Sequence, residues 1–178
     1  GAKKEVDNEK LIKDISTIDS FKLEIDNSKY LYESLKKSKT VLYLADNCDE
    51  IVFDKIFMEY IKNNFKDIEI FCAVRGEPII NDATLEDALS VGIDKVATII
   101  SNGDSAPGTI IENTTDEFKN IFKSADTVIS KGQGNYESLS NTDKSSLFFL
   151  FMAKYNLIAN ELNVPKMSLI YRENKINF

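Results

Sequence analysis

The sequence predicts an α/β fold in which a doubly wound, mostly parallel sheet carries helices on both faces. Short apolar runs alternate with segments of helical periodicity from Thr40 onward, which is the order that builds a single parallel sheet. The runs are continuously apolar rather than alternating, as is typical of parallel strands buried on both faces. Each run ends in polar residues, and Rossmann-like sheets bind their ligands at the carboxyl ends of the strands.

The predicted elements follow one another closely along the chain. Residues 1–39 form a charged, partly helical N-terminal lead-in, and residues 40–178 form the α/β domain. Within the lead-in, short helices are expected around Leu11–Ile15 and Tyr30–Leu35. Strands are predicted at residues 40–45, 68–74, 95–100, 127–130, 147–152 and 167–171. Helices are predicted at residues 51–65, 82–91 and 115–124 and before Leu162, and Gly92 ends the second of them as a C-cap.

Composition and charge exclude several classes of function. The 22 basic and 29 acidic residues give a net charge of −7, which argues against a nucleic-acid partner because such binding needs a basic face. No apolar run approaches the ~20 residues of a membrane-spanning helix, and no secretory signal is recognised, so we expect no membrane partner and a cytoplasmic location. The sequence contains no histidine, which removes Ser-His-Asp and Cys-His catalysis and histidine-bound zinc. Any chemistry must come from carboxylates, amides, Lys, Arg or a metal.

Two pairs of Asp and Asn residues stand where a strand gives way to a helix. Asp46-Asn47 follows the first predicted strand of the domain, and its hard oxygens suit Mg²⁺ or Mn²⁺. Asn81-Asp82 stands after the next strand, behind Arg75-Gly76. Arg75 could bind a phosphate with its planar fork, and Gly76 would allow close backbone approach. The alternative is that both pairs cap helices, since Asp and Asn are preferred N-cap residues.

Two further segments contain glycine. The segment from Ser101 to Thr109 follows the third strand and is weak evidence by itself, because Gly, Pro and Ser occur in any loop. The segment Lys131-Gly132-Gln133-Gly134-Asn135 follows the fourth strand, where its backbone N–H groups and the Lys131 charge suit phosphate. Its spacing is not that of a Walker A loop, and Glu137 stands where a dinucleotide-binding motif has its third glycine. A flexible turn is the alternative for this segment.

Together these segments resemble the damage-control phosphatase family, also known as domain of unknown function 89 or the acidic-residue-methyltransferase-like domain. The resemblance covers the chain from about Val41 to Tyr171. It rests on Asp46-Asn47 with Glu50 and Phe53-Asp54, on residues 75–84 with Asp87-Ala88, on residues 104–109 and on residues 131–137, in that order.

The resemblance implies a doubly wound fold and a phosphatase that acts on small phosphometabolites, such as sugar phosphates, with Mg²⁺, Mn²⁺, Co²⁺ or Ni²⁺. It implies Asp46, Asn47 and Asp82 as metal ligands and places Lys131 on the substrate phosphate. Asp46, Asp82 and Lys131 are therefore the candidate catalytic residues. The candidate substrate-binding residues are Arg75, Gly76, Asn81, Ser101, Lys131, Gly132, Gly134, Asn135 and Glu137.

Two features depart from the family pattern. Family members usually carry Ala-Gly where this chain has Cys48-Asp49, and a carboxylate added there is expected to alter the turn, the metal preference or the substrate affinity. Relatives commonly carry a sizeable helical domain before the first strand, whereas about forty residues precede it here, which would leave the cleft more open.

Several alternatives stay open at this point. The nucleophile is either an activated water, with Asp46 or Asp82 as base, or one of these aspartates itself. One alternative function is an S-adenosylmethionine-dependent carboxyl methyltransferase, an activity also attributed to the wider family. Another is a metal- or phosphate-binding module without turnover, which the change at Cys48-Asp49 makes plausible. No oligomeric state is predicted.

Overall fold

The computed structural model describes residues 22–174, which form a seven-stranded sheet flanked by helices. The strands are β1 (Leu23–Asp26), β2 (Thr40–Leu44), β3 (Glu69–Val74), β4 (Thr98–Ser101), β5 (Thr127–Lys131), β6 (Leu147–Met152) and β7 (Leu169–Glu173). The helices are α1 (Ser28–Leu35), α2 (Ile51–Asn64), α3 (Leu85–Ser90), α4 (Asp116–Ser124), α5 (Gln133–Leu139) and α6 (Asn156–Glu161). None of these helices is long and apolar enough to cross a membrane.

The strands lie in the order β1-β7-β6-β5-β2-β3-β4. Strands β2 to β6 are parallel to one another, whereas β7 is antiparallel to β6 and β1 runs parallel to β7. The chain passes outward from β2 through β3 to β4, then returns to β5 on the other side of β2 and continues to β6. This reversal of order between β2 and β5 is the switch point at which doubly wound sheets bind ligands. The predicted doubly wound, mostly parallel fold is confirmed.

Each face of the sheet carries its own apolar core. Helices α1, α2 and α3 cover one face with buried residues that include Leu31, Met58 and Ala88. Helices α4, α5 and α6 cover the other face with buried residues that include Phe118, Tyr136 and Ile158. Successive strand residues point to opposite faces, so the continuous apolar runs supply both cores. Packing on both faces holds the carboxyl ends of β2 and β5 next to each other.

Several element boundaries differ from the predicted ones. Strand β4 begins at Thr98 rather than at residue 95, because Ile93–Lys95 forms a 3-10 turn. Gly92, just before that turn, has a φ of 77° and ends α3 as predicted. Helix α3 itself begins at Leu85 rather than at residue 82. The segment of residues 131–135 is not a loop, because Lys131 ends β5 and Gln133 already begins α5.

The predicted lead-in is described only in part. The helix expected around Leu11–Ile15 lies outside the described residues. Helix α1 confirms the one expected around Tyr30–Leu35. Strand β1, which was not predicted, pairs with β7 and extends the sheet. The lead-in therefore contributes β1 to the sheet of the α/β domain, and the division of the chain after residue 39 stays a prediction.

Candidate active site and metal site

Asp46 and Gly132 meet at the switch point between β2 and β5. Asp46 lies two residues beyond β2, and Gly132 directly follows β5. Gly132 has a φ of 83°, and a Cβ atom built on it would lie 2.1 Å from the carboxyl carbon of Asp46. Any other residue would therefore collide with Asp46 and be strained by the positive φ. The glycine lets the Asp46 carboxyl group lie against the backbone that leads into α5.

The Asp46 carboxyl group is half-buried and has no hydrogen-bond donor or ion-pair partner within residues 22–174. Burial raises the pKa of Asp46 to about 6, and repulsion from Asp82 and Glu50 adds to this effect. The positive charges of Arg75 and Lys154 lower the pKa and compensate only in part. A poorly hydrated carboxylate beside like charges is a favourable position for a cation.

Backbone contacts hold Asn47 and Asp82 beside Asp46. Asn47 and Asp82 form an isolated antiparallel β-bridge. The N–H of Ala83 donates to the Asp46 carbonyl at 2.7 Å. The segment after β2 is thus paired with the segment after β3, which brings together the three residues predicted as metal ligands.

Neither Asp and Asn pair caps a helix. Helix α2 begins after Glu50, and Asn47 Oδ1 instead accepts from the Asp49 N–H at 2.9 Å. Helix α3 begins after Thr84, whose side chain forms a capping box with Asp87. The capping explanation considered for both pairs is therefore wrong.

Arg75 is buried, and its guanidinium group is engaged within the protein. Its Nε atom donates to Asp82 Oδ2 at 2.6 Å. Its Nη1 atom donates to the Gly108 carbonyl and, at 3.4 Å, to Thr109 Oγ1, and its Nη2 atom donates to Asn135 Oδ1 at 3.4 Å. These contacts tie together the chain segments after β3, β4 and β5 and hold Asp82 in place. Arg75 thus positions Asp82 from within the protein, and its guanidinium nitrogens are already hydrogen-bonded rather than available to a phosphate.

The Lys131 ammonium group is paired with a buried carboxylate. Its Nζ atom donates to Asp54 Oδ1 at 2.7 Å and to Glu50 Oε2 at 3.3 Å. Asp54 is only 2% exposed, and the same Oδ1 atom accepts from the Tyr43 hydroxyl at 2.7 Å. Burial by itself would lower the pKa of Lys131, but Asp54 and Glu50 outweigh it and raise the pKa. Lys131 is therefore held as a cation whose position is set by Asp54.

A cavity of about 280 Å³ opens at the switch point. Its polar side consists of Asp46, Glu50, Lys131, Gly132, Gln133 and Lys154, and its apolar side is formed by β6, β7 and the start of β1. Lys154 follows β6 and is exposed, and its ammonium group has no hydrogen-bond or ion-pair partner in the part of the chain that the structure describes. Lys154 thus acts on Asp46 only through its charge and makes no direct ion pair among the described residues, whereas Lys131 is directly paired with Asp54.

Of the predicted substrate-binding residues, Lys131 and Gly132 line this cavity. The others do not line it: Arg75, Gly76, Asn81, Ser101, Gly134, Asn135 and Glu137. The two further glycines allow close contact between loops. A Cβ atom on Gly76 would lie 2.8 Å from the Gly103 backbone, and one on Gly134 would lie 3.3 Å from the Gly108 backbone nitrogen.

Besides Arg75, three of the predicted residues outside the cavity form side-chain hydrogen bonds elsewhere in the protein. Asn135 is fully buried, and its Nδ2 atom donates to the Lys131 carbonyl at 2.8 Å. Ser101 Oγ accepts from the N–H of Gly103, two residues along. Glu137 accepts from Gln133 Nε2 at 2.6 Å. Asn81 is exposed in the loop before α3.

The three predicted metal ligands carry the donor atoms that a hard divalent cation needs. Asp46 offers an unpaired carboxylate, Asp82 keeps one oxygen outside its bond to Arg75, and Asn47 Oδ1 keeps a second lone pair. Residues 22–174 contain no group of three His, Cys, Asp or Glu side chains arranged to hold a metal ion, so a site here depends on the Asn47 amide. The oxygen donors of Asp46, Asn47 and Asp82 are of the kind that Mg²⁺ or Mn²⁺ prefers.

Comparison with known proteins identifies the family. Residues 1–170 match the family model described as the damage-control phosphatase ARMT1-like domain. The chain belongs to the damage-control phosphatase family.

Two curated relatives within the damage-control phosphatase family are considerably longer than this chain. A damage-control phosphatase of Pyrococcus horikoshii is 41% identical over 167 residues, which are 94% of this chain and 55% of that protein. One of Archaeoglobus fulgidus is 37% identical over 143 residues, 80% of this chain and 48% of that protein. The crystal structure of a DUF89 family protein from Pyrococcus horikoshii gives a TM-score of 0.90 at 40% identity, covering 94% of this chain and 58% of that one. The chain thus spans about half the length of the curated relatives that it matches.

The departure from the damage-control phosphatase pattern at Cys48-Asp49 leaves the turn intact. The Cys48 N–H donates to the Asn81 carbonyl at 2.8 Å and so takes part in the pairing of the two loops. Neither residue has a positive φ, so the turn does not require glycine. The Asp49 side chain is exposed and lies outside the cavity, and Glu50 supplies the additional carboxylate near Asp46.

Four residues of the site were not among the predicted ones: Glu50, Asp54, Gln133 and Lys154. Glu50 and Asp54 are four residues apart at the start of α2, a spacing that places both carboxylates on one helical face. This spacing could have indicated them as partners for a lysine. Lys154 follows a predicted strand just as Asp46 and Lys131 do, so the strand-end criterion applied to β6 would have found it.

Proposed function

We propose that this member of the damage-control phosphatase family is a metal-dependent phosphatase that hydrolyses small phosphorylated metabolites. The observation that carries the proposal is that Asp46 lines one cavity with Lys131 and Lys154, while the Asn47–Asp82 bridge and the Ala83 N–H bond to the Asp46 carbonyl hold the other two proposed ligands beside it. Hard oxygen ligands and positive charges at one cavity are what a divalent cation and a phosphoryl group need together. The names of the relatives agree with this function.

Asp46, Asn47 and Asp82 are the proposed ligands of a divalent cation, which is Mg²⁺, Mn²⁺, Co²⁺ or Ni²⁺. When bound, such a cation polarises a phosphoryl oxygen and offsets negative charge as the ester bond breaks. Arg75 keeps the Asp82 carboxylate oriented through its 2.6 Å hydrogen bond, as hydrogen bonds behind a metal site commonly orient its ligands.

Two lysines are proposed to bind the phosphoryl oxygens. Lys154 has the stronger support, because its ammonium group is exposed at the cavity and unpaired among the described residues. Two of the three N–H groups of the Lys131 ammonium donate to Asp54 and Glu50, and the third can donate to a phosphoryl oxygen.

Asp46 is the proposed carboxylate that faces the reacting group. It lines the cavity, whereas Asp82 is bonded to Arg75 and does not. Asp46 would act as base for an attacking water or as the nucleophile itself. Acid quenching during turnover separates the two, because phosphate remains covalently attached to the protein only if an aspartate is the nucleophile.

A screen of phosphate monoesters tests the function, with Mn²⁺, Mg²⁺, Co²⁺ or Ni²⁺ added and with EDTA as control. Phosphate release that requires a divalent cation is the expected result. Methyl transfer from S-adenosylmethionine without phosphate release would contradict the proposal and identify a carboxyl methyltransferase. Binding of metal and phosphate without release would identify a binding module. The lack of nucleic-acid and membrane partners and the cytoplasmic location stay predictions.

A further inference from the structure

The cavity beside Asp46 has an apolar wall that the phosphatase reaction itself does not use. Five half-buried side chains form this apolar patch: Leu23, Leu150, Met152, Leu169 and Tyr171. In the strand register, Leu150 pairs with Tyr171, Met152 with Leu169, and Leu169 with Leu23. Residues paired in register point to the same face of a sheet. The five therefore form one continuous patch across β6, β7 and β1.

The apolar patch begins beside the charged end of the cavity. Leu150 pairs with Lys131 in the β5–β6 register, and the Gly132 N–H donates to the Leu150 carbonyl at 3.0 Å. At its other end, Met152 is two residues from Lys154. Both lysines thus adjoin the apolar patch within one cavity, and a molecule whose phosphate binds either of them can place its remaining atoms on the patch.

A sugar fits this wall poorly. Hydroxyl groups removed from water need hydrogen-bond partners, and the hydroxyl of Tyr171 is the only polar side-chain group among these five. Burial, with the charge of Asp26 adding to it, raises the pKa of Tyr171 above its ordinary value, which agrees with a poorly hydrated surface. An apolar chain, in contrast, gains binding free energy from each methylene that it buries there.

We infer that the preferred substrates are phosphate monoesters whose alcohol part is apolar next to the phosphate, rather than sugar phosphates. The inference rests on the proposed phosphatase function and narrows its substrate class. The cavity of about 280 Å³ corresponds to roughly nine water-sized volumes. The phosphoryl group leaves room in it for a chain of roughly five atoms.

A series of n-alkyl phosphates tests this inference, because its members differ in apolar length and hardly in leaving-group chemistry. With Mn²⁺ present, kcat/KM should rise about fourfold per methylene, which is ~0.8 kcal/mol per buried CH₂ at 1.36 kcal/mol per factor of ten. The rise should level off at a chain of roughly five carbons, and glucose 6-phosphate should be a poorer substrate than pentyl phosphate.

Variants show whether the apolar patch causes the rise. Leu169→Thr should reduce the ratio of pentyl to methyl phosphate kcat/KM by about tenfold or more, and Met152→Thr serves the same purpose if the first variant does not fold. Leu157→Thr, at a leucine that is 76% exposed on α6, should keep the parent ratio. A flat alkyl series with methyl phosphate hydrolysed would overturn this inference alone. Release from none of the esters would overturn the proposed function and this inference with it.

Discussion

The Lys131 ammonium group and the Asp54 carboxylate form an ion pair 2.7 Å apart beside the candidate site, with side chains 16% and 2% exposed. The second carboxylate oxygen of Asp54 is buried and has no hydrogen-bond partner within the described residues. A buried charge left without its partner is strongly unfavourable. The domain therefore depends on both partners, and the pair keeps a positive charge next to Asp46.

Removing one partner of this pair should destabilise the fold. Asp54→Asn leaves Lys131 without its buried partner, and we expect the free energy of unfolding to fall by about 3–5 kcal/mol. The matched control is Glu33→Gln in the Glu33–Lys36 pair, whose side chains are 49% and 47% exposed, where a loss of no more than about 1 kcal/mol is expected. Denaturant unfolding measures both values. Equal losses would mean that the Lys131–Asp54 pair is as hydrated as a surface pair.

Gly132→Ala should remove activity by displacing Asp46. Its new Cβ atom would overlap the Asp46 carboxyl group, whereas Gly92→Ala meets only the flexible side chains of Lys55 and Lys95 at 3.5 Å. Both glycines have a positive φ, of 83° and 77°; Gly92→Ala should lose about 1–2 kcal/mol of stability, and Gly132→Ala should lose more because of its overlap with Asp46. Only Gly132→Ala should also lower kcat/KM, by about a hundredfold, as a displacement of ~1 Å at a reacting group can. Similar activity of the two variants would show that Asp46 need not lie against the residue 132 backbone.

Replacement of either cavity lysine should lower activity, but only replacement of Lys131 should also lower the melting temperature. Lys154→Ala removes an exposed, unpaired charge, so kcat/KM for a phosphate monoester should fall about ten- to hundredfold with the melting temperature unchanged. Lys131→Ala should lower both activity and melting temperature, because it leaves Asp54 buried without a partner. Lys123→Ala, at an exposed lysine near the end of α4, should alter neither. A Lys154→Ala variant as active as Lys123→Ala would place Lys154 outside the site.

Acidification should stabilise the metal-free protein through Asp46. Burial and then repulsion from Asp82 and Glu50 raise the pKa of Asp46 from 3.8 to about 6 in the folded protein, so between these values the folded state binds a proton that the unfolded chain has released. This stabilisation is complete below about pH 4 and is lost as the pH rises through about 6. In EDTA at about pH 7.5, Asp46→Asn should melt above the parent by a few degrees, at ~2–4 °C per kcal/mol for a chain of this size. The difference should shrink by about pH 5, and a constant difference would contradict the raised pKa.

The fold and the two loops of the proposed metal site could be predicted because their signals are local. Continuous apolar runs such as Thr40–Leu44 mark buried strands, and the polar residue after each run marks the ligand-binding edge. Strand β1 gave no such signal, because Leu23–Asp26 is four residues long, lies at the sheet edge and alternates between half-buried and exposed residues.

The side-chain partners could not be predicted because they depend on how distant elements meet. Lys131 and Asp54 are 77 residues apart, and their contact follows from the packing of α2 against β5. The burial of Arg75 follows from its bonds to Gly108 and Asn135, on two other segments. Sequence patterns identified the charged residues, and tertiary packing decided which of them face the cavity.

The most direct test of the proposed metal site is the rate of phosphate release as Mn²⁺ is titrated into metal-free protein. The parent protein should release no phosphate in EDTA and should show a rate that rises with Mn²⁺ and saturates. Asp46→Asn should remain folded by circular dichroism and release none at any Mn²⁺ concentration. A parent rate that EDTA leaves unchanged, or the parent's Mn²⁺ dependence in Asp46→Asn, would contradict a metal site built on Asp46, Asn47 and Asp82.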